Sequence, residues 1–357
     1  MRNKRLLTLF GSVCLILVLA ALPFMTACPA PDDAEEPVVY YLKYSDWGPE
    51  FWDIGVRAQE WIAAIEERTD GRVIITGYWS ESLLKRMDTY QGVEDGLTDI
   101  ALYVLGGNPG VHLLNRVIDL PGTGMPSERA QMEIYQALWD RYPELDEEYG
   151  NAFPLRMIGL PPTHIHTTAN FHLVRTPEDL AGLKLYANPL QWTEQMDAFG
   201  AAVIDASPME WYTSLDTNLI QGMLIHWNAV YDAGLTELFQ YHAVIGEGGA
   251  DIATIGWIMN RDSFEALPEE FQNIILESAL EWNEVSIQDS VNTRIEGRAY
   301  AESLGHEVVD LTPAEIQQWL DLAKPVHEKW IADCEAAGFD NAREIYDYMM
   351  ELIAEYK

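Results

Sequence analysis

From residue 38 to residue 105 the chain alternates two hydrophobic periods, and this alternation restricts its fold more than any other feature. "VVYYLKYSDW" (38–47) reads as a strand running into a loop at Ser45-Asp46-Trp47. The next stretch carries apolar residues at Ile54, Ala58, Trp61, Ile62 and Ile65, a helical stripe that ends at Gly71. "RVIITGYW" is a second strand and "LLKRMDTYQGVEDG" a second helix. "TDIALYVL" is a third strand, almost continuously apolar, as buried parallel strands are. Such βαβ units build an α/β layer around a mainly parallel sheet.

The pattern restarts after Pro161-Pro162 with "THIHTTANFHLV". In "RTPEDLAGLKLYANPL" (175–190), Thr176 suits a cap, Pro177 the first helical position, and Gly182 a stop. Leu183 to Tyr186 then alternates like a strand until Asn188-Pro189 breaks it. A helix around 190–199, a helix from Met209 to Asn218, a stop at Gly222 and a further strand follow. "DIATIGWIMNRD" (251–262) is another strand. A helix begins at Pro268 and runs beyond Arg298, long enough to act as a strut, and Thr312-Pro313-Ala314-Glu315 starts a helical tail. The expected organisation is two lobes: 38–163 plus 251–291, and 164–250 plus 292–357 with the C-terminal helices. Their strand ends face a shared cleft, where ligands of α/β architectures sit.

The N-terminal region stands apart. Arg2, Lys4 and Arg5 precede an almost wholly apolar run from Leu6 to Met25, closed by Thr26-Ala27-Cys28. This reads as an export leader over 1–27, with a membrane anchor as the plainer alternative. The closing residues resemble a lipobox, which makes Cys28 the expected site of lipid attachment; Met25 stands where that motif usually has leucine. The Pro- and acid-rich 28–37 reads as a flexible tether. Beyond Cys14 and Cys28 only Cys334 remains, so no intramolecular disulfide is expected. The formal charge is −35, and three units lower once the leader's basic residues leave. Such a surface repels nucleic acid and anionic membrane.

Catalytic signatures are missing: there is no G-x-S-x-G elbow, no phosphate loop and no H-E-x-x-H helix. His164 and His166 share a strand face without an evident third ligand, so neither metal nor cofactor is expected. One of the pair is expected to line the cleft and the other to be hydrogen-bonded within the lobe. Carboxylates are too abundant to single out a pair, which leaves a secreted hydrolase as the alternative class. Of the 12 tryptophans, Trp61, Trp139, Trp319 and Trp330 sit on helical apolar faces and read as core. Trp47, Trp79, Trp211, Trp227 and Trp257 lie at strand ends or helix starts, where cleft lining and packing compete. Aromatics in a cleft suit an apolar face, a sugar ring or a cation.

The chain resembles the DctP-type solute-binding proteins of tripartite ATP-independent periplasmic (TRAP) transporters. The resemblance rests on "RTPEDLAGLKL", "PMEWYTSLDTNLIQG" with Glu210, Tyr212, Leu215 and Gly222, "LPEEFQNIILESA" and "YQGVEDGLTDIAL". It implies a two-lobed periplasmic-binding-protein fold that closes on one small molecule, without enzymatic activity. It also implies delivery to a membrane permease of a small and a large subunit. An ABC-type binding protein shares the bulk features but not these motifs. That family grips ligand carboxylates with an arginine, whose position here is Tyr186. A second, usually asparagine, position falls at Ile225, and one that is basic in some members falls at Ile165.

Two ligand chemistries follow. In one, a neutral or cationic molecule lies against Tyr186, Trp211, Trp227 and Asn228, with Asn188, Glu210 and His164 nearby. Trp47, Trp79, Tyr103 and Trp257 close from the other side. In the other, a carboxylate is held by a relocated cation such as Arg156, Lys184 or His164.

Overall fold

The structure, a computed structural model, describes residues 37–107 and 110–356. The leader (1–27), the tether up to residue 36 and the lipid site at Cys28 lie outside the described residues. Among those described, no helix is long and apolar enough to cross a membrane.

Residues from Val39 onward form one compact unit. Its first pass is β1 (Tyr40–Ser45), α1 (Asp53–Arg68), β2 (Val73–Tyr78), α2 (Thr89–Glu94) and β3 (Ile100–Val104), then α3 (Glu128–Arg141), α4 (Glu144–Glu147) and β4 (Ala152–Gly159). The second contains β5 (Thr163–Thr167), β6 (Lys184–Tyr186), α5 (Pro189–Asp197), β7 (Ala202–Val203), α6 (Trp211–Asp216), β8 (Gly222–His226), α7 (Trp227–Asp232) and β9 (Tyr241–Val244). The chain returns through β10 (Thr254–Asn260), α8 (Arg261–Glu265) and α9 (Glu269–Ser303). It ends with β11 (Glu307–Asp310), α10 (Pro313–Ala337) and α11 (Ala342–Glu355).

These elements make two α/β lobes, each around its own sheet, ordered β2-β1-β3-β10-β4 in lobe I and β11-β9-β5-β8-β6-β7 in lobe II. The sheets are mixed where parallel ones were expected. β10 runs antiparallel to β3 and β4, and β5 antiparallel to β8 and β9. Both reversed strands are the first to follow a crossing from the other lobe, so each enters its sheet from the hinge side.

Alternation along the strands sorts side chains between two faces. In lobe II, Ile165, Leu185, Leu224 and Ala243 point into a cluster with Trp192 and Trp319. The opposite face holds Met223 and Ile225 over α6 and α7, with Tyr186 packed against them. Lobe I buries Leu42, Ile100, Leu102 and Trp257 under α1 and the first half of α9. Its other face packs Ala101, Tyr103 and Ile258 against α3.

The C-terminal helices differ from expectation. Trp330, Ile331, Cys334, Ile345, Met349 and Ile353 join the α3 face of lobe I, whereas only the first half of α10 packs on lobe II through Trp319 and Ala323. Amphipathicity tells a helix to bury one face but does not name its partner. Pro325 lies inside α10, between these two halves, and withdraws one backbone hydrogen bond where the helix passes between lobes. The long α9 does serve both lobes. Trp61 of α1 donates to Ser278 Oγ at 3.0 Å, and Asn228 of α7 donates to the Ser290 carbonyl at 3.0 Å. At 1.5 Å per residue α9 is about 50 Å long.

Two extended segments cross between the lobes side by side. Thr163 N donates to Asp251 O at 3.0 Å, Ala250 N to Thr163 O at 2.9 Å, and Leu160 N to Ala253 O at 2.7 Å. Gly249 has φ +63°, and a Cβ there would stand 2.4 Å from the Thr163 carbonyl oxygen. Only glycine satisfies both conditions.

Lobe II also contains a line of imidazoles. His166 Nε2 lies 3.1 Å from the Ile225 carbonyl, His166 Nδ1 2.7 Å from His242 Nδ1, and His242 Nε2 3.1 Å from His306 Nδ1. A carbonyl only accepts, so His166 carries its proton on Nε2. His242 must then donate from Nδ1, and His306 in turn donates to His242. Burial pushes His166 down to about 3 and His242 to about 2. His226 caps α7 by accepting from Ala229 N at 3.1 Å, and burial lowers it to about 4.

Gly249→Ala is expected to cost about 1–3 kcal/mol or more, measured by urea unfolding. An unchanged midpoint would show that this crossing tolerates the clash. The buried histidines bind protons below pH ~6.5 only when unfolded, so their contribution to stability is lost as pH falls from about 6.5 toward their native values. Asn keeps the cap of α7 but does not titrate. His226→Asn should therefore flatten the pH dependence of unfolding between pH ~6.5 and ~4, by up to about 1.4 kcal/mol per pH unit, relative to wild type.

Candidate functional site

Most of the residues expected to line a cleft lie at strand ends near the hinge. On the lobe II side β6 delivers Tyr186, whose ring centre lies 5.2 Å from that of Trp211 at a 59° tilt. Trp211 is fixed by donating its indole N–H to the Ala206 carbonyl at 3.1 Å. Ile225 and Ile204 belong to the same apolar cluster. Burial pushes the Tyr186 hydroxyl up, against the opposing charge of Arg86 in lobe I. Ile165 faces the other side of the sheet. The face of lobe II around Tyr186 is therefore aromatic and apolar.

The other expected lobe II residues divide. Asn228 is buried and ties α7 to α9 through its amide N–H, while its Oδ1 has no partner among the described residues. Asn188 begins the helix after Tyr186, its carbonyl accepting from Gln191 N at 3.2 Å and Trp192 N at 3.0 Å. Glu210 closes a capping box with Ser207, accepting from its N at 3.2 Å and its Oγ at 3.1 Å. Trp227 is 1% exposed and stacks on His242 at 4.7 Å. His164, expected near the ligand, is buried, accepts from Ile245 N at 3.2 Å, and is pushed down to about 3 by burial. It is neutral and cannot serve as a cation. Lys184 is exposed at the far end of β6.

On lobe I, Trp47 and Trp79 stand half-buried at the ends of β1 and β2, Trp47 against Trp52 at 6.4 Å and Trp79 against Tyr44 at 5.4 Å. Tyr103 and Trp257, expected to face them, lie inside the lobe instead. The Tyr103 hydroxyl pairs with His112 Nδ1 at 2.7 Å, and the Trp257 ring stacks on Trp61 at 4.2 Å. Both side chains belong to mid-strand positions whose faces are covered by helices, and proximity to a strand end in sequence does not reveal that cover.

Several residues at this junction were not singled out beforehand. Asp46 is buried, accepts from the Tyr44 hydroxyl at 2.8 Å and Gly48 N at 2.7 Å, and burial raises it to about 6. Asp251, on one crossing, accepts from the Trp192 indole and from Thr163 Oγ1. Neighbouring Gln191 donates to the Asp119 carbonyl of lobe I. Two consecutive residues of α5 thus bind the segment after Tyr186 to the hinge. Asp-Trp and Gln-carbonyl pairs this far apart leave no mark in sequence.

Comparison with known proteins agrees with this architecture. Residues 53–333 match the model of the bacterial extracellular solute-binding protein family 7, DctP. The 2,3-diketo-L-gulonate-binding periplasmic protein YiaO of Escherichia coli K12 is 22% identical over 293 residues, covering 76% of this chain and 87% of YiaO. A marine metagenome TRAP solute-binding protein specific for aromatic acid ligands, solved with metahydroxyphenylacetate, has a TM-score of 0.78 at 21% identity, over 89% of this chain and 99% of its own. A TRAP periplasmic protein of Chromohalobacter salexigens with bound D-glucuronate has a TM-score of 0.75 at 18% identity, over 87% and 99%. With its two lobes, hinge and bridging helix, and a family match across most of its length, this chain belongs to the DctP family of TRAP transporter solute-binding proteins.

Proposed function

We propose that the protein is the extracytoplasmic receptor of a TRAP-type transporter, held at the membrane by a lipid on Cys28. It captures one small molecule between its lobes and hands it, chemically unchanged, to a permease of a small and a large membrane subunit. The observation that carries the ligand side of this reading is the Tyr186–Trp211 pair on its apolar cluster. A ring or another apolar face fits there, and a carboxylate would be stranded, at a desolvation cost of several kcal/mol. The expectation of a neutral or cationic solute is thereby narrowed to the part of the molecule that faces lobe II. The aromatic acid and the D-glucuronate of the two structural relatives are both rings carrying a carboxylate, which supports a ring-shaped solute here.

The test is a thermal-shift and calorimetric screen of carboxylates, polyols, amines and amino-acid derivatives, followed by mass spectrometry of the recovered ligand. One saturating ligand, returned unaltered, is expected; released product would favour the hydrolase. With the ligand in hand, Tyr186→Arg places a guanidinium in the apolar floor and should weaken its binding at least ~10-fold. Tyr186→Phe should stay within about 3-fold, because the ring carries the contact. Equal affinity in Tyr186→Arg would show that the ring only packs.

A further inference from the structure

Two carboxyl groups are buried where the chain passes between the lobes. Asp119 ends a 3-10 turn (Asn115–Asp119) of lobe I and is 2% exposed. Its Oδ1 accepts from Thr254 N at 2.8 Å, and its carbonyl accepts from Gln191 of α5. Asp251 lies on one crossing and accepts from Thr163 Oγ1 at 2.7 Å and from the Trp192 indole of α5. Consecutive residues of the helix after Tyr186 are thus fastened at the two acids. Gly122 N donates to the Ala250 carbonyl at 2.8 Å and ties the two segments together. The space left between these segments is about 10 Å³, room for one water at most.

Neither acid has a counter-ion. Among the described residues no Lys, Arg or His lies within ion-pair distance of Asp119 or Asp251. Asp119 is faced by Arg116 of its own turn, Tyr103 of β3, Tyr135 of α3, Tyr149 beyond α4, and Asp251. Arg116 acts from beyond ion-pair distance, and burial pushes the three tyrosine hydroxyls up, so they stay neutral. Asp251 is faced by Asp119 and by the Tyr186 hydroxyl. Burial raises Asp119 to about 7, against the Thr254 hydrogen bonds and with Asp251 adding to it, and burial raises Asp251 as well. An ionised carboxylate here meets fixed donors but no cation and almost no water, and a second charge beside it is disfavoured further.

We propose that this junction is a proton-gated joint: while Asp119 keeps its proton the two crossings and α5 stay locked together, and loss of that proton to water frees α5, with the face around Tyr186, to move against lobe I. This goes beyond the receptor reading and holds for any solute. In an opened joint Asp119 is hydrated and titrates near ~4. Opening therefore releases a proton, grows easier by up to ~10-fold per pH unit between pH ~4 and about 7, and levels off above that. The histidines beside the joint act in the opposite sense. His164 follows Thr163, His327 of α10 bonds the Pro121 carbonyl, and burial lowers both, so opening them is favoured only as pH falls.

The experiment is hydrogen exchange read by mass spectrometry on the solute-free protein at pH 5 and pH ~7.5, corrected for the intrinsic pH dependence of exchange. Peptides spanning 187–198 and 249–255 are expected to lose protection at least ~10-fold at the higher pH, while α11 does not. Asp119→Asn keeps an acceptor for Thr254 N but cannot ionise, and should remove most of this dependence. The inference is overturned if the two peptides are equally protected at both pH values, if they lose protection on acidification instead, if α11 changes with them, or if Asp119→Asn keeps the wild-type dependence. Circular dichroism establishes folding. Should Asp119→Asn not fold, Asp251→Asn removes the neighbouring charge and should weaken the dependence; an unchanged dependence then overturns the inference. No solute enters this test, so its failure leaves the receptor reading standing.

Discussion

The carboxylate of Asp251 holds the architecture at its narrowest point. It is buried without a cation, and its two oxygens are satisfied by Trp192 Nε1 and Thr163 Oγ1. Those donors come from different places: Thr163 from one crossing between the lobes, Trp192 from the helix that begins just after Tyr186. Low local dielectric makes each of these bonds strong and their loss expensive. One acid therefore fixes the two crossings to each other and fixes the helix after Tyr186 to both. Gln191, gripping the Asp119 carbonyl, repeats the link toward lobe I.

The two lobes differ in their chemistry near the hinge. Lobe II contributes apolar and aromatic side chains, and burial keeps His164 and His166 neutral. Lobe I contributes more polar chemistry: Asp46 on its Tyr44 and Gly48 bonds, and Trp47, whose indole nitrogen has no partner among the described residues. Ile225 and Ile204 share the apolar cluster against which Tyr186 packs.

Local signals were legible in the chain, and long-range ones were not. The capping boxes at Thr176–Asp179 and Thr312–Glu315 and the start of α9 follow from residues within four positions of each other. Tyr186 at the end of a strand was legible for the same reason. The locations of Trp257 and Tyr103 were not, because the elements that cover their strand faces leave no mark at those positions in sequence. The bond between Arg156 and Asn283 spans 127 residues, and that between His166 and His242 spans 76. Nothing in the spacing of these residues announces them. The α11 stripe announced burial but not its destination on lobe I.

That destination bears on the order in which the protein is assembled. The cluster on the α3 face of lobe I unites Tyr90, Ile134 and Ile258 with Ile345, Met349 and Ile353. A chain made from its N-terminus reaches these last residues only at the end of synthesis. Until then the cluster is covered on its α3 side alone, and the part that the C-terminal helices complete stays open. The nascent chain therefore cannot complete this apolar cluster early, and its open part stays accessible to chaperones until the last helix docks.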